Sequence, residues 1–413
     1  MSKRILALLL FAGACAWVVT AQAAVAPCPG YDASNNTNLG CEIATATRTS
    51  GQSSSLGLLS PTLAAQLSQL PMATAVTGTG LSFSRELGVF TASNDSLGTI
   101  LTQRGDTMGR HKLFVSFTFQ HFAFNTVDGV NLHDLPTVNV VSYSGNAGTS
   151  YTQATSSVDL QVNQYTALAA YGLTKRIDVS LVMPFSDVRL STVSNVTQYN
   201  ASASGSPVGS PFALPAVSLP GSAFGLGDIT ASVKVNVFKA EAVSVAVGSD
   251  VRFPTGDAAN YLGTGAYGVR PYLVFSRRGR LTPNVNLSYQ ANGRSELFMD
   301  PQTAVHEHLP GSVGYSGGVD FRVVKQFTLT SEFLGQYVVN GPRVDLGTLN
   351  IPGAGLTPTV STVRGSYCMD NLGAGWKINP YKGLLFSGNV LFKLDDAGLR
   401  AKVIPLIGAS YRF

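Results

Sequence analysis

The sequence is poor in charge. Asp, Glu, Lys and Arg together make up 12% of the 413 residues, whereas hydrophobic residues reach 45% and are spread along the whole chain. The formal net charge of +5 is not concentrated in a basic cluster of the kind that follows a phosphate backbone. Nucleic acid is therefore excluded from the expected partners.

Long hydrophobic runs are also missing, with one exception at the N-terminus. Two basic residues precede the apolar residues 5–19, and Ala21-Gln22-Ala23 forms a small-x-small cleavage site. This pattern predicts a secretory signal peptide over residues 1–23. The alternative, lipoprotein processing at Cys15, lacks the large aliphatic residue expected three positions before the cysteine. No later run approaches the ~20 apolar residues of a membrane helix, so an exported chain that spans a membrane must use strands.

Cysteine is rare. After removal of the signal peptide only Cys28, Cys41 and Cys368 remain. Cys28 and Cys41 enclose a polar, Asn-rich loop, and in an oxidising compartment this arrangement favours a disulfide bond between them. A metal site at this loop is the weaker alternative, because no His or further Cys lies nearby in the sequence. Cys368 has no sequence partner and is interpreted as filling a small position.

The sequence contains alternation instead. Residues 228–237 and 243–253 place apolar side chains at alternate positions with polar ones between, and residues 239–242 form a short turn. A period of two over both runs predicts a β-hairpin with one apolar and one polar face. In a soluble sandwich the apolar face would meet a core. In a transmembrane barrel it would meet lipid, and the polar face would line the lumen.

The C-terminus favours the barrel. Residues 399–413 are predicted to form the last strand, with Tyr411 and Phe413 among the outward residues and Lys402 among the inward ones. A chain that ends on an aromatic residue after alternate apolar positions resembles the assembly signal of bacterial outer-membrane barrels. The predicted location is the bacterial outer membrane, with outer-membrane lipid and the barrel-assembly machinery as partners. The alternative is an ordinary edge strand that ends at Phe413.

Residues 111–413 are predicted to form the barrel. Twelve alternating segments follow one another, and the connections between them are long and short in turn. Residues 125–152, 191–224 and 340–360 are among the predicted long loops. Short periplasmic turns, long outer loops and an even strand number are the convention of outer-membrane barrels. The predicted fold class is therefore all-β, a transmembrane antiparallel up-and-down β-barrel of about 12 strands. Merging or splitting one hairpin would give ten or fourteen, and twelve strands favour a monomer.

Residues 24–110 have a different character. A Ser/Thr/Asn-rich stretch leads to a predicted short helix over 62–70, a hairpin over 81–93 and the polar, Gly-punctuated residues 97–110. Because a barrel needs filling or a water channel, we expect this segment to form a plug in the lumen. A periplasmic position and a disordered tether are the alternatives.

Charged residues on inward faces are the candidates for function. They would either set solute selectivity by charge and hydrogen bonding or pair across strands to hold the wall or a plug, and the structural role is favoured for any single one. The lumen-lining candidates are Asp228, Lys234, Asp250, Arg252, Asp320, Arg322 and Glu332. In the entering segment, Arg104, Asp106 and Arg110 are predicted to be plug residues that pair with them.

No catalytic constellation emerges. A barrel hydrolase needs a nucleophile, a nearby His and an orienting acid, but Ser116 and His121 fall on opposite faces of one strand. His306-Glu307-His308 is interpreted as surface decoration, because three consecutive side chains cannot easily face one metal ion. The sequence predicts no enzyme activity, no cofactor and no metal.

Four stretches of the chain resemble one family. They are residues 97–122, 171–185, 224–238 and 250–276, and the Gly-Leu-Gly-Asp and Pro-Thr-Gly-Asp motifs ending at Asp228 and Asp257 are the most specific parts. The resemblance is to the outer-membrane transporter family named after a MetA pathway of phenol degradation, distantly related to the long-chain fatty-acid transporter barrels. It covers most of residues 110–413. It implies a barrel that passes hydrophobic or aromatic compounds, and it implies no catalytic role.

The leading hypothesis is therefore a channel or transporter for passive passage of small, hydrophobic or aromatic solutes, partly closed by the N-terminal segment. The alternative is a structural or adhesive barrel that acts through its outer loops, and a barrel enzyme ranks last.

Overall fold

The computed structural model describes residues 39, 67, 81–84, 89–92, 99–142, 148–279, 281–299, 306–381 and 383–412. No helix in this part of the chain is long and apolar enough to span a membrane. The signal peptide, the Cys28–Cys41 disulfide and Phe413 lie outside the described residues and stay predictions. Cys368 is a free thiol exposed on the surface.

Twelve strands form the barrel wall, as the alternating segments predict. They are β1 (Leu113–Val127), β2 (Thr149–Gly172), β3 (Ile177–Ala201), β4 (Thr230–Lys239), β5 (Val243–Arg252), β6 (Gly268–Arg277), β7 (Leu281–Asn292), β8 (Ser312–Val324), β9 (Phe327–Ile351), β10 (Gly355–Tyr381), β11 (Leu384–Lys393) and β12 (Val403–Arg412).

The sheet closes on itself. Each strand pairs antiparallel with the next, and β12 pairs with β1, where Ile407 lies opposite Phe119 and Arg412 opposite Phe114. Closure leaves no edge in the wall, so every backbone polar group of the membrane band can find a partner without water. The prediction of an antiparallel 12-stranded barrel is confirmed. Short turns join the strands at the end where residues 112 and 412 lie, which we name the turn end; the opposite end is the loop end.

Smaller elements lie outside the twelve. Leu81–Ser84 and Val89–Ala92 form the predicted hairpin near the N-terminus. The remaining elements are the strands Val130–Asn131, Leu135–Ser142, Phe212–Leu226, Arg294–Met299, His306–His308 and Leu399–Ala401, and the 3-10 helix Ala258–Asn260. Leu67 is the one described residue within the predicted helix over 62–70.

The outward face of the wall is an apolar belt. Along β1, Leu113, Val115 and Phe117 are exposed, while Phe114 and Thr118 on the opposite face are buried. The same alternation continues around the barrel, with exposed apolar side chains on β4 to β12. They include Val233, Val247, Leu273, Val285, Leu287, Phe321, Leu329, Phe333, Leu372, Phe386, Ile407 and Tyr411. A closed barrel with such a belt has its outward face in lipid.

Four strands are much longer than the membrane requires. β2 and β3 have 24 and 25 residues, and β9 and β10 have 25 and 27, whereas about 9–11 residues suffice to cross a bilayer. β2 and β3 remain paired up to Thr149 and Ala201, and β9 and β10 up to Ile351 and Gly355. The wall therefore continues beyond the membrane at the loop end.

These extensions correct the sequence-based boundaries. Residues 125–152, 191–224 and 340–360 were expected to be long loops, but most of their described residues lie in strands, including Leu135–Ser142 and Phe212–Leu226. Beyond the membrane no face of a strand has to be apolar, so the alternation that marks a membrane strand disappears. Ser, Pro and Gly then give these strands the composition of loops.

The prediction for the last strand is also partly wrong. The chain forms two strands there, Leu399–Ala401 and β12, with Lys402 between them. Lys402 and Val403 are both exposed, and the pairing with β1 shifts register next to Arg400. Because one irregularity reverses the alternation, Lys402 does not point into the lumen.

The polarity of the wall inverts towards the loop end. On β2 and β3, Leu160, Val162 and Val188 are buried inside, and Asp159 and Arg189 are exposed outside. We name the apolar interior the apolar compartment; its members include Phe122, Phe124, Leu160, Val162, Val188, Leu190, Leu391, Leu399, Ala401, Ile404 and Leu406. Above the belt the outer face meets water, so polar residues stand outside and apolar ones can stand inside.

Candidate functional site in the barrel lumen

Residues 99–110, which we name the strap, cross the lumen near the turn end. At one end the backbone N–H of Met108 donates to the carboxylate of Asp178 on β3, with N–O distances of 3.0 and 3.3 Å. At the other end Nζ of Lys377 on β10 donates to the carbonyl oxygen of Thr99 at 2.5 Å. β3 and β10 lie on nearly opposite sides of a ring of twelve strands, so the strap spans the barrel.

Glu332 on β9 forms more hydrogen bonds with the strap than the other wall residues named here. Its Oε1 accepts hydrogen bonds from the backbone N–H groups of three consecutive residues, Ile100, Leu101 and Thr102, at 3.0, 2.8 and 2.8 Å. Its Oε2 accepts from Nδ2 of Asn389 on β11 at 2.8 Å. A segment without strand partners would leave buried backbone donors unpaired, and this carboxylate satisfies three of them at once.

The middle of the strap is held by neutral polar groups. Gly105 donates its N–H to Oγ of Ser276 at 2.8 Å and accepts from Nδ2 of Asn236 at 2.7 Å. A Cβ at position 105 would lie 2.6 Å from the carbonyl oxygen of Ser244, closer than any real contact. Only glycine permits the strap to approach the wall this closely.

An ion pair fixes the strap where it meets the turn end. Asp106 binds the guanidinium of Arg278, which follows β6, and lies 3.6 Å from Nη2 of Arg104. Burial of Asp106 opposes its ionisation, but the hydrogen bond and charge of Arg278, with the charge of Arg104, outweigh it. The pKa of Asp106 is therefore held below its ordinary value. The carboxylate stays ionised across neutral pH.

The predicted lumen-lining residues do not form a single site. Glu332 and Lys234 contact the strap, the latter through Nζ to the carbonyl oxygen of Arg104 at 3.4 Å. Asp250 and Arg252 lie further towards the loop end and line a cavity. Asp228 lies beside the loop that follows β5. Of the last two, Asp320 is buried on β8 and Arg322 is half-buried near the turn end.

The predicted plug residues differ among themselves. Arg104 and Asp106 are buried in the lumen, whereas Arg110 is exposed and forms no ion pair with any described residue. Asp106 pairs with Arg278, which sequence reasoning did not single out. The other anchors that it missed are Asp178, Asn236, Ser276, Lys377 and Asn389. Alternation places residues such as Asn236 on the inner face, but it cannot separate those that bind a crossing segment from those that face water.

Asp228 joins the two Gly-Asp motifs. Its carboxylate accepts hydrogen bonds from the N–H of Gly256 at 3.1 Å, and from the N–H and hydroxyl of Thr264 at 2.8 and 2.5 Å. The hydroxyl of Thr255 donates to the carbonyl oxygen of Gly227 at 2.7 Å. Asp228 therefore fastens residues 253–267 to the start of β4.

We expect the Asp228→Ala variant to have a markedly less stable barrel. Removing the carboxylate leaves the N–H groups of Gly256 and Thr264 without their acceptor, whereas the Thr264 hydroxyl can still donate to the carbonyl oxygen of Ala266. Each buried donor left unpaired costs about 1–3 kcal/mol, not fully additive. The measurement is the urea midpoint of the barrel refolded in vesicles. Asp257→Ala is the matched control, because Asp257 is exposed and only caps the short helix Ala258–Asn260. Equal midpoints for the two variants would contradict the role of Asp228.

A cavity of about 230 Å³ lies on the loop-end side of the strap. Leu101 and Gln103 of the strap form its floor. One wall carries polar side chains of β5 to β8, including Asp250, Arg252, Arg270, Tyr272, Asn286, Ser288 and Gln290. The opposite wall carries Phe124, Leu399, Ala401 and Ile404 of the apolar compartment. Arg400 lies beside them, and its guanidinium donates to the carbonyl oxygen of Asp370 and to Oδ1 of Asn371.

Two described residues of the N-terminal segment reach the apolar compartment. Leu39 is buried within it, and Leu67 packs against it. The backbone N–H of Leu39 also donates to Oδ1 of Asn260, in the loop after β5, at 3.1 Å. Together with the strap, these contacts put parts of the segment before β1 inside the barrel.

The chain matches a known protein family over a large part of the barrel. Residues 140–341 fit the family described as "Putative MetA-pathway of phenol degradation". The predicted family resemblance is confirmed. The matched region runs into β9 and includes both Gly-Asp motifs, which fasten residues 253–267. No curated protein matches the sequence.

Solved structures with a similar fold are outer-membrane channels and porins. The COG4313 outer membrane channel from Pseudomonas putida F1 has 10% identity, with 75% of this chain and 97% of that chain covered and a TM-score of 0.45. The CymD monoaromatic hydrocarbon channel has 10% identity, coverages of 74% and 89% and a TM-score of 0.35. The NanC porin has 8% identity, coverages of 72% and 98% and a TM-score of 0.36. These distant similarities carry no argument about what this chain transports.

The closed barrel and its apolar belt place this protein in the bacterial outer membrane and support a channel role. By the convention of such barrels the turn end faces the periplasm. Among the described residues, no group of three or more His, Cys, Asp and Glu side chains could hold a metal ion.

Proposed function

We propose that this protein is an outer-membrane channel for the passive passage of small hydrophobic or aromatic compounds, and that its N-terminal segment restricts the lumen. The observation that carries the proposal is the inverted polarity of the interior. The apolar compartment occupies the loop-end part of the lumen, where a water-filled porin would need polar side chains. An apolar solute entering from outside would exchange water for this lining.

The strap supports the second half of the proposal. It crosses the lumen below the cavity, and its backbone is bound from β3, β4, β6, β9 and β10. A solute in the cavity can reach the periplasm only if the strap moves or gives way. The strap therefore acts as a plug, and Leu39 and Leu67 extend it towards the loop end.

The experiment measures closure and passage separately. In planar bilayers, the chain lacking residues 24–105 is expected to give stable conductance steps at least several-fold larger than those of the full mature chain. In intact cells, expression of the full chain is expected to raise the uptake of the apolar fluorophore N-phenyl-1-naphthylamine over cells with an empty vector. Heat-modifiable migration confirms that both chains are folded barrels.

Two results would overturn the proposal. Equal conductance of the two folded chains would show that the N-terminal segment does not close the lumen. Unchanged fluorophore uptake would show that the channel does not pass apolar compounds.

The extended wall at the loop end favours a second function, adhesion, because the strand Phe212–Leu226 is half-buried or exposed along its whole length. Binding of expressing cells to surfaces, lost when 202–224 is shortened, would then be the expected result.

A further inference from the structure

The cavity above the strap has the size of a small ring compound. Its volume of about 230 Å³ exceeds the ~150 Å³ of an engineered apolar cavity that takes up benzene. It lies on the path of any solute that enters from the loop end and meets the strap. The volume leaves room for a single ring with one polar substituent.

The two walls of the cavity face each other. β6 and β12 are six positions apart in a ring of twelve strands, so the polar wall of β5 to β8 lies opposite the apolar wall at β12 and β1. Phe124, Leu399 and Ile404 of the apolar wall are all at most 5% exposed. A ligand with an apolar side and a polar side would satisfy both walls, whereas a wholly apolar ligand would leave polar groups without partners.

The charged groups of the polar wall that are available to a ligand are hydrogen-bond donors. Nε and Nη2 of Arg270 both bind Oδ2 of Asp250, at 2.9 and 2.6 Å, and the side chain of Arg270 remains 40% exposed. Oδ1 of Asp250 is buried and out of reach. Asp250 therefore holds Arg270 through Nε and Nη2, and Nη1 takes no part in this pair.

Tyr272 stands two residues along the same face. A Cβ at Gly248 would lie 2.4 Å from its hydroxyl oxygen, so glycine at 248 is what lets the tyrosine ring lie on the wall. Among the described residues, neither the Tyr272 hydroxyl nor Nη1 of Arg270 has a hydrogen-bond partner. Arg252 adds a second guanidinium on this wall, with Nη2 bound to Oδ1 of Asn292 at 2.8 Å.

We propose that this cavity binds a monocyclic compound that carries an oxygen acceptor, a carboxylate or a phenolic oxygen. The oxygen is held by Arg270 and Tyr272, and the ring packs against Phe124, Leu399 and Ile404. The inference rests on the proposed function, since it names the substrate class of the same lumen. It predicts that the channel prefers oxygen-bearing rings over plain hydrocarbons.

Ligand-observed NMR on the full mature chain in detergent tests this binding. Benzoate, phenol and toluene are titrated separately, and benzoate or phenol is expected to bind at least ten-fold more tightly than toluene. Arg270→Met is expected to remove that preference, and Tyr272→Phe, which loses only a hydroxyl, to weaken binding of the preferred compound about five-fold. If the affinity for benzoate falls more than that for phenol in Arg270→Met, the site prefers a carboxylate. If the affinity for phenol falls more, the site prefers a phenolic oxygen.

Arg189→Met is the matched control. Arg189 forms the same kind of pair with Asp187, at 3.0 Å, but on the outer surface, so its loss should leave all three affinities unchanged. Toluene binding as tightly as both other compounds, or unchanged affinities in Tyr272→Phe, would overturn the proposal. If binding fails while conductance and fluorophore uptake behave as expected, the cavity proposal alone is wrong. If binding succeeds and both transport measurements fail, the proposed function is wrong.

Discussion

Replacing Glu332 with alanine is expected to convert a nearly closed barrel into one with frequent, large conductance steps. Glu332 is 1% exposed and accepts three consecutive backbone N–H groups of the strap. Hydrogen bonds to a charged group contribute about 1.5–3 kcal/mol each. Even a total loss of about 3 kcal/mol would change the ratio of closed to open strap by roughly a hundred-fold.

The Glu332→Ala substitution also affects the neighbouring contact between Lys377 and the strap. Lys377 donates to the carbonyl oxygen of Thr99, one residue before the segment that Glu332 binds. Without the carboxylate, this buried ammonium keeps only one of its two nearby opposite charges, that of Asp320, so the end of the strap at β9 and β10 should detach first. The end at β3 would stay bound through Asp178. We therefore expect partial opening, smaller than that of the chain lacking residues 24–105.

Two further variants make the measurement specific. Glu332→Gln keeps an acceptor oxygen of the same shape, so its open probability should lie between those of the wild-type chain and Glu332→Ala. Glu241→Ala makes the same chemical change at an exposed position in the turn between β4 and β5, and its conductance should not change. If folded Glu332→Ala conducts no more than Glu241→Ala, the carboxylate does not hold the lumen closed.

Sequence reasoning found the barrel because lipid imposes a strict rule on each membrane strand. Every second residue must be apolar, and the closed wall makes the strand count even, so the membrane-spanning part of each of β1 to β12 could be recognised. The same rule explains the errors. Where β2, β3, β9 and β10 leave the lipid, the rule ceases to apply, and residues such as 340–351 could not be distinguished from a loop.

The lumen was less predictable for a different reason. Alternation identifies inward positions, and Glu332 and Lys234 were found in this way, but the partner of each is the backbone of the strap, which has no side-chain signature. Asp178 lies at the very start of β3, next to a turn, where a charged residue has an ordinary explanation. The Gly-Leu-Gly-Asp motif did mark a structural centre, since Asp228 accepts from Gly256 and Thr264.

The membrane boundary on this wall can be located by one pair of substitutions. Leu287 is 53% exposed in the middle of β7, inside the belt, and Val193 is 39% exposed on β3, in the extension beyond it. Both are apolar residues on the outward face of a long antiparallel sheet. The two residues are alike in side-chain type and both are exposed, so they differ mainly in their depth relative to the lipid.

Leu287→Arg is expected to destabilise the barrel by about 2–4 kcal/mol, the cost of an arginine facing lipid near the bilayer midplane. Val193→Arg should cost nothing measurable, because its guanidinium would stand in water. Urea titration of the two variants refolded in lipid vesicles measures the difference. The same titration in detergent micelles should show a smaller difference, since micelles adapt around a charge.

A Val193→Arg barrel as unstable as Leu287→Arg would mean that the lipid reaches β3 beyond Arg189. The inverted polarity of β2 and β3 would then not mark the membrane surface. In that case the apolar compartment would lie at membrane depth, and a solute could enter it from the bilayer rather than from water.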